Sequence, residues 1–273
     1  MKIILVVLAT LSSAAGASPG PVDCYESAKA LTSYPPLLCA GAATTAPVDC
    51  FPQAKSLTNY PALLCSGAAS NTPVDCFRAA KDLTSFPALL CARASSLAPL
   101  DCYAAAKPVT NYPALLCSGA RSSAPVDCLR AARKLTSFPE LLCAGADSSS
   151  PVACFTAAKG VTDVTDYPAL LCSGARSLAP IDCFRAAQGL TQFPALLCSG
   201  AEDNSPIECL KAAKSTTDIP ALLCSPNGAF KTITRHDIHP SYSLPYPFRF
   251  PQIYPFYFPF PDAARDPSKP SPE

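Results

Sequence analysis

Along residues 73–98, PVDCFRAAKDLTSFPALLCARASSLA, small and apolar residues come in two bursts separated by a polar turn. Cys76, Ala80 and Leu83 fall at helical spacing and predict the buried face of a first helix from about Pro73 to about Lys81. Pro73 suits the first helical position, because its φ is fixed and it has no N–H to leave unpaired. Asp75 in the first turn and Lys81 at the far end complement the helix dipole. The second burst predicts another helix of roughly eight to ten residues. Ser85 is its N-cap, Pro87 lies in its first turn, and Phe86, Leu89 and Leu90 form its apolar face. In most copies a glycine follows the cysteine, as in Cys65-Ser66-Gly67, and stops the helix. Two short helices joined by a tight Thr-Ser turn make an αα-hairpin.

The pattern recurs eight times. Units begin at Pro21, Pro47, Pro73, Pro99, Pro125, Pro151, Pro180 and Pro206, with a period of 26 residues except for a sixth unit of 29. That unit carries Val161-Thr162-Asp163-Val164-Thr165-Asp166, which reads as a three-residue duplication. The organisation expected is therefore a leader over 1–17, a repeat region over 18–225 and a distinct tail over 226–273.

Each unit holds two of the chain's 16 cysteines. The first are Cys24, Cys50, Cys76, Cys102, Cys128, Cys154, Cys183 and Cys209; the second are Cys39, Cys65, Cys91, Cys117, Cys143, Cys172, Cys198 and Cys224. An even count behind a secretory leader points to disulfides. A metal site is disfavoured, since there is no C-x-x-C and the two histidines, His236 and His239, lie outside the repeats. Two schemes remain open. Pairing inside the unit fits an antiparallel hairpin, in which the start of the first helix lies beside the end of the second. Pairing across the linker, as in Cys65 with Cys76, fits the constant spacing but strands Cys24 and Cys224. Pairing inside the unit is favoured.

A unit of this length cannot hold itself together by burial alone, because chains below about 40 residues need staples or neighbours. The fold class expected is all-α: eight tandem disulfide-stapled αα-hairpins, stacked as a short α-solenoid or strung as beads, followed by a non-regular tail.

Residues 1–17, MKIILVVLATLSSAAGA, carry a basic start, a short apolar run and the small-residue site Ala15-Gly16-Ala17, the pattern of a secretory signal peptide. The apolar run is too short to span a bilayer, and the C-terminal SKPSPE has no hydrophobic tail for a lipid anchor. A secreted, extracellular location is expected. The formal charge of +1 falls to zero once Lys2 is removed, and nucleic acid is not an expected partner.

Residues 240–261, PSYSLPYPFRFPQIYPFYFPFP, are of another kind. Seven prolines exclude a helix interior or central strand and predict an extended segment. Its rings, Tyr242, Tyr246, Phe248, Phe250, Tyr254, Phe256, Tyr257, Phe258 and Phe260, are candidate interaction residues, either for the repeats themselves or for partners and self-association.

No catalytic residue, metal site or cofactor is expected. The repeats contain no histidine to serve as a base. Their recurring carboxylates, such as Asp49, Asp75 and Asp101, sit where a helix start favours negative charge. A recurring basic position (Lys29, Lys55, Lys81, Lys107, Arg133, Lys159, Lys214, with Gln188 the exception) would form a stripe if the units stack. The function expected is a secreted, non-enzymatic repeat protein with a structural or extracellular-matrix interaction role. The alternatives are a soluble multivalent binder of a glycan or anionic polymer, and a defence protein.

Overall fold

The computed structural model describes residues 20–159 and 167–227. The leader, the duplicated residues 161–166, both histidines and the nine candidate rings of the tail lie outside the described residues.

Among the described residues the chain is all-helical. The first helices of the eight units are α1 (Pro21–Ala28), α3 (Ala46–Lys55), α5 (Thr72–Ala80), α7 (Ala98–Ala106), α9 (Ala124–Ala132), α11 (Ser150–Lys159), α13 (Ala179–Ala187) and α15 (Ser205–Ala213). The second helices are α2 (Pro35–Leu38), α4 (Pro61–Leu64), α6 (Pro87–Leu90), α8 (Pro113–Leu116), α10 (Pro139–Cys143), α12 (Pro168–Leu171), α14 (Pro194–Leu197) and α16 (Pro220–Leu223).

In α5 the buried residues are Pro73, Val74, Cys76, Phe77 and Ala80, a single stripe at helical spacing. The same register in α9 buries Pro125, Val126, Cys128, Leu129 and Ala132. Leu83, expected on that stripe, is instead 52% exposed, because α5 ends at Ala80 and the chain has turned before Leu83 is reached.

The second helix is shorter than its sequence predicts: one turn, Pro87–Leu90 in the third unit. Its N-cap is Phe86 and not Ser85, and no side chain caps it. The Thr84 hydroxyl accepts a hydrogen bond from the Phe86 amide at 3.2 Å, a local turn that fixes the entry into the helix. The same Thr-to-aromatic bond recurs at Tyr34, Tyr60, Tyr112, Phe138 and Phe193. The helix stops where one of the next amides turns to a neighbour. The Gly67 amide, two residues past Cys65, donates at 3.0 Å to the Leu38 carbonyl of the preceding unit.

That interunit bond is repeated. Gly119 donates to Leu90, Gly145 to Leu116, Gly174 to Leu142 and Gly200 to Leu171. Buried serines reinforce it: Ser66 donates through Oγ to the Leu37 carbonyl at 2.7 Å, and Ser199 to Leu170 at 2.8 Å. Second helices therefore pack in succession, α2 on α4, α4 on α6, and onward. The succession does not end at the eighth unit, because α16 packs on α2 and α15 on α1. Of the solenoid and the beads, the units stack, and the stack closes into a ring. One leucine per unit fills the continuous core at 0% exposure: Leu38, Leu64, Leu90, Leu116, Leu142, Leu171, Leu197 and Leu223.

Each disulfide closes within one unit: Cys24–Cys39, Cys50–Cys65, Cys76–Cys91, Cys102–Cys117, Cys128–Cys143, Cys154–Cys172, Cys183–Cys198 and Cys209–Cys224. No cysteine is left free. Closure also undoes the argument by elimination, since the units bearing Cys24 and Cys224 are neighbours. Hairpin geometry, with Cα atoms 5.5–5.7 Å apart in every pair, is the sufficient reason.

Candidate functional site

Two places on the ring gather chemistry. The first is its centre, where the residue two past each second cysteine arrives. Six of these are glycines, Gly41, Gly67, Gly119, Gly145, Gly174 and Gly200, with φ between 56° and 65°. They are glycines for two reasons. The left-handed backbone disfavours a side chain, and a Cβ on Gly67 would lie 2.7 Å from the Ala40 carbonyl of the preceding unit.

The third and eighth units break the pattern, with Arg93 and Pro226 at this position. Arg93 holds the same left-handed conformation, φ 61°, without being glycine. Its guanidinium donates to the Pro226 carbonyl and, at 3.2 Å, to Asn227 Oδ1. Asn227 Nδ2 in turn donates to the Ser173 carbonyl at 2.9 Å. Residues of the third and sixth units thus meet the two residues that follow the last hairpin, at the start of the segment assigned to the tail. Burial pushes the Arg93 pKa down to about 10, and the positive charges of Arg121 and Arg176 add to the shift. Arg93 still carries its charge at neutral pH.

Around this centre runs a partial rail of alternating charge, four residues past the second cysteine in consecutive units. Arg121 stands 3.9 Å from Asp147, Arg176 is 2.7 Å from Asp147, and Arg176 is 2.6 Å from Glu202. Burial alone would lower the Arg176 pKa, but the hydrogen bonds and charges of Asp147 and Glu202 outweigh it and raise it. The first three units carry Ala43, Ala69 and Ser95 at this position, and the rail is absent there. Aligning the units on their second cysteines exposes the alternation, so the sequence held a signal for it. Nothing in the sequence marked Arg93 and Asn227 as partners, because their meeting depends on closure.

The second place is the set of hairpin tips, the turns that join first and second helices. The recurring basic residues cap or end the first helices and are exposed: Lys29, Lys55, Lys81, Lys107, Arg133, Lys159 and Lys214. Two residues further on stand exposed leucines, such as Leu31, Leu57 and Leu83, and then the aromatic N-cap of the second helix. Adjacent tips are tied together. Arg133 donates to the Val109 carbonyl, and the Thr110 hydroxyl donates to Glu140 at 2.6 Å. Shallow clefts lie between them, one of about 330 Å³ lined by Lys134, Leu135, Phe155, Thr156 and Lys159.

The repeated carboxylates stand exposed at the other end of the first helices, and several pair one turn along: Asp75 with Arg78 at 3.0 Å, Asp127 with Arg130 at 2.7 Å, Glu208 with Lys211 at 2.9 Å. Pairing of this kind belongs to helix starts and not to acid–base chemistry.

No family model, curated protein or solved structure matches this chain.

Proposed function

We propose that this chain is a secreted, non-enzymatic repeat protein with a structural, matrix-type interaction role: a disulfide-stapled ring that offers the same surface feature many times. The observation that carries this reading is the recurrence of an exposed basic residue at the tips of a closed ring with a continuous core, joined in the first, third and fifth units by an exposed leucine and an exposed aromatic N-cap. A rigid array of similar, individually weak contacts gains by avidity what a single contact lacks. Eight disulfides fit an oxidising compartment, and the leader-like residues 1–17 supply a route to it. Among the described residues no helix is long and apolar enough to cross a membrane.

Fractionation of the native secretion tests the reading. A matrix role requires that the protein stay in the insoluble fraction in neutral salt buffer and come out on reduction or proteolysis. Retention inside the cell overturns it. Recovery as a freely soluble monomer overturns the matrix role in favour of a soluble multivalent binder of a glycan or anionic polymer, or of a defence protein, a reading that the exposed basic position in seven of the eight units favours.

A further inference from the structure

Among the described residues, nine of the eleven most exposed large apolar side chains lie in the hairpin tips; the other two, Leu97 and Leu178, lie in linkers between units. Exposure on this scale is not scattered over the surface, and concentrated apolar exposure marks contact. The apolar residues are interleaved with positive charge. Taken from the basic position to the aromatic N-cap, the described tips hold eight basic side chains against two acidic ones, Asp82 and Asp218. Asp163 and Asp166 of the sixth tip lie outside the described residues, and counting them leaves the tips basic.

We propose that the hairpin tips form an interfacial binding surface for lipid bilayers that carry anionic headgroups. The inference rests on the multivalent reading above and names the partner class. Leucine and aromatic side chains beside lysine ammonium groups match the boundary between acyl chains and headgroups, where apolar groups are buried and basic groups meet anionic lipid. A second copy of the ring is a poorer occupant, because tip-to-tip contact sets like charges against each other. An anionic polymer would engage the lysines and leave the leucines in water. One tip binds weakly; neighbouring tips tied to each other, as those of the fourth and fifth units are, add their contacts without a fresh loss of rotational freedom for each.

The test uses the oxidised full-length chain and vesicle flotation. Vesicles of phosphatidylcholine alone are compared with an equal mixture of phosphatidylcholine and phosphatidylglycerol. Binding to the mixed vesicles is expected to be at least about tenfold tighter and to weaken in high salt. The combined variant Leu31→Ser, Leu57→Ser, Leu83→Ser, Leu135→Ser and Leu190→Ser should weaken it by about tenfold or more, with far-UV dichroism and the disulfide map unchanged. If that variant fails to fold, the combined variant Lys55→Gln, Lys81→Gln and Lys107→Gln provides the second arm and should remove the preference for anionic vesicles. Absence of binding to the mixed vesicles overturns the proposal. So does binding that survives the substitutions, which would place it elsewhere in the chain, and so does retention on heparin without vesicle binding, which would name a polymer as partner. None of these outcomes bears on the secretion experiment, so the two readings fail separately.

Discussion

The amide of Gly41 donates to the carbonyl of Leu223 at 3.1 Å, which hydrogen-bonds the first unit to the eighth. It is the same bond that joins Gly67 to Leu38 and Gly200 to Leu171 within the succession. An open stack of hairpins would end in two unpaired faces. Closure gives each end unit a neighbour, so the first and last units need no special capping sequence.

Gly41 is therefore a sensitive point. Its φ is 61°, and a Cβ there would meet the Pro226 carbonyl at 2.9 Å and the Ser225 carbonyl at 3.0 Å. Gly189 also has positive φ, 77°, but nothing lies within 4 Å of the position of its Cβ. Gly189→Ala should cost about 1 kcal/mol, the conformational penalty alone. Gly41→Ala should cost about 2–4 kcal/mol, because backbone crowding adds to the same penalty. Chemical denaturation of the two variants side by side checks this. Equal losses would mean that the close approach at the seam is absent in solution.

The disulfides make local predictions. Cys50 and Cys65 close a loop of sequence separation 15. Replacing both with alanine should lower stability by about 3 kcal/mol in the chain-entropy account. Digestion without reduction should yield cross-linked peptides whose two cysteines come from one unit, including Cys154 with Cys172 across the longer spacing of 18. A single fragment joining Cys65 to Cys76 would contradict the pairing.

Arg93 permits a contest between two effects. Its left-handed backbone favours glycine by roughly 1 kcal/mol, whereas its guanidinium holds Pro226 and Asn227. Arg93→Ala loses the hydrogen bonds and keeps the strain; Arg93→Gly loses the bonds and releases it. The glycine variant should be the more stable of the two by about 1 kcal/mol. The folded pKa of about 10 lies below that of a free arginine, so the unfolded chain binds more protons only once pH passes through that value. Arg93 thus contributes a pH-dependent gain in stability above about pH 10 and none near neutrality. The loss in either variant should be constant from about pH 5 to about pH 9. A slope in that window would assign the titration to another group.

Much of the hairpin was legible in the chain. Proline at the first helical position, acid in the first turn and the cysteine spacing are local signals, and local signals survive folding. The end of the second helix was less legible. Leu63, Leu64 and Cys65 continue a helical pattern, but the Gly67 amide that follows donates to the Leu38 carbonyl of the preceding unit, so a tertiary bond overrides the periodic signal. Closure was not legible at all. It depends on each unit turning by an eighth of a circle, and that small angle is set by packing between units such as Ser66 on Leu37. The sequence marks such a position as small and polar without stating an angle. The centre of the ring, Arg93 with Asn227, inherits the same invisibility.

The residue after the second cysteine offers a test of how the interfaces share stability. Ser66, Ser118, Ser173, Ser199 and Ser225 are buried there, each donating to a leucine carbonyl of the preceding unit. Ala40, Ala92 and Ala144 take the same position in the other three units. The Leu37 carbonyl that receives Ser66 also accepts a backbone bond from Ala40 at 3.4 Å, so removing the hydroxyl leaves it partnered. Ser66→Ala should therefore cost only about 1 kcal/mol. Ala92→Ser should gain a similar amount by reaching the Leu63 carbonyl, as Ser66 reaches that of Leu37. If the interfaces act independently, the double variant should return to the stability of the parent within about 0.5 kcal/mol. A larger departure would show that a change at one interface is transmitted to the next, as expected if a closed ring must spread any change in angle over the remaining contacts.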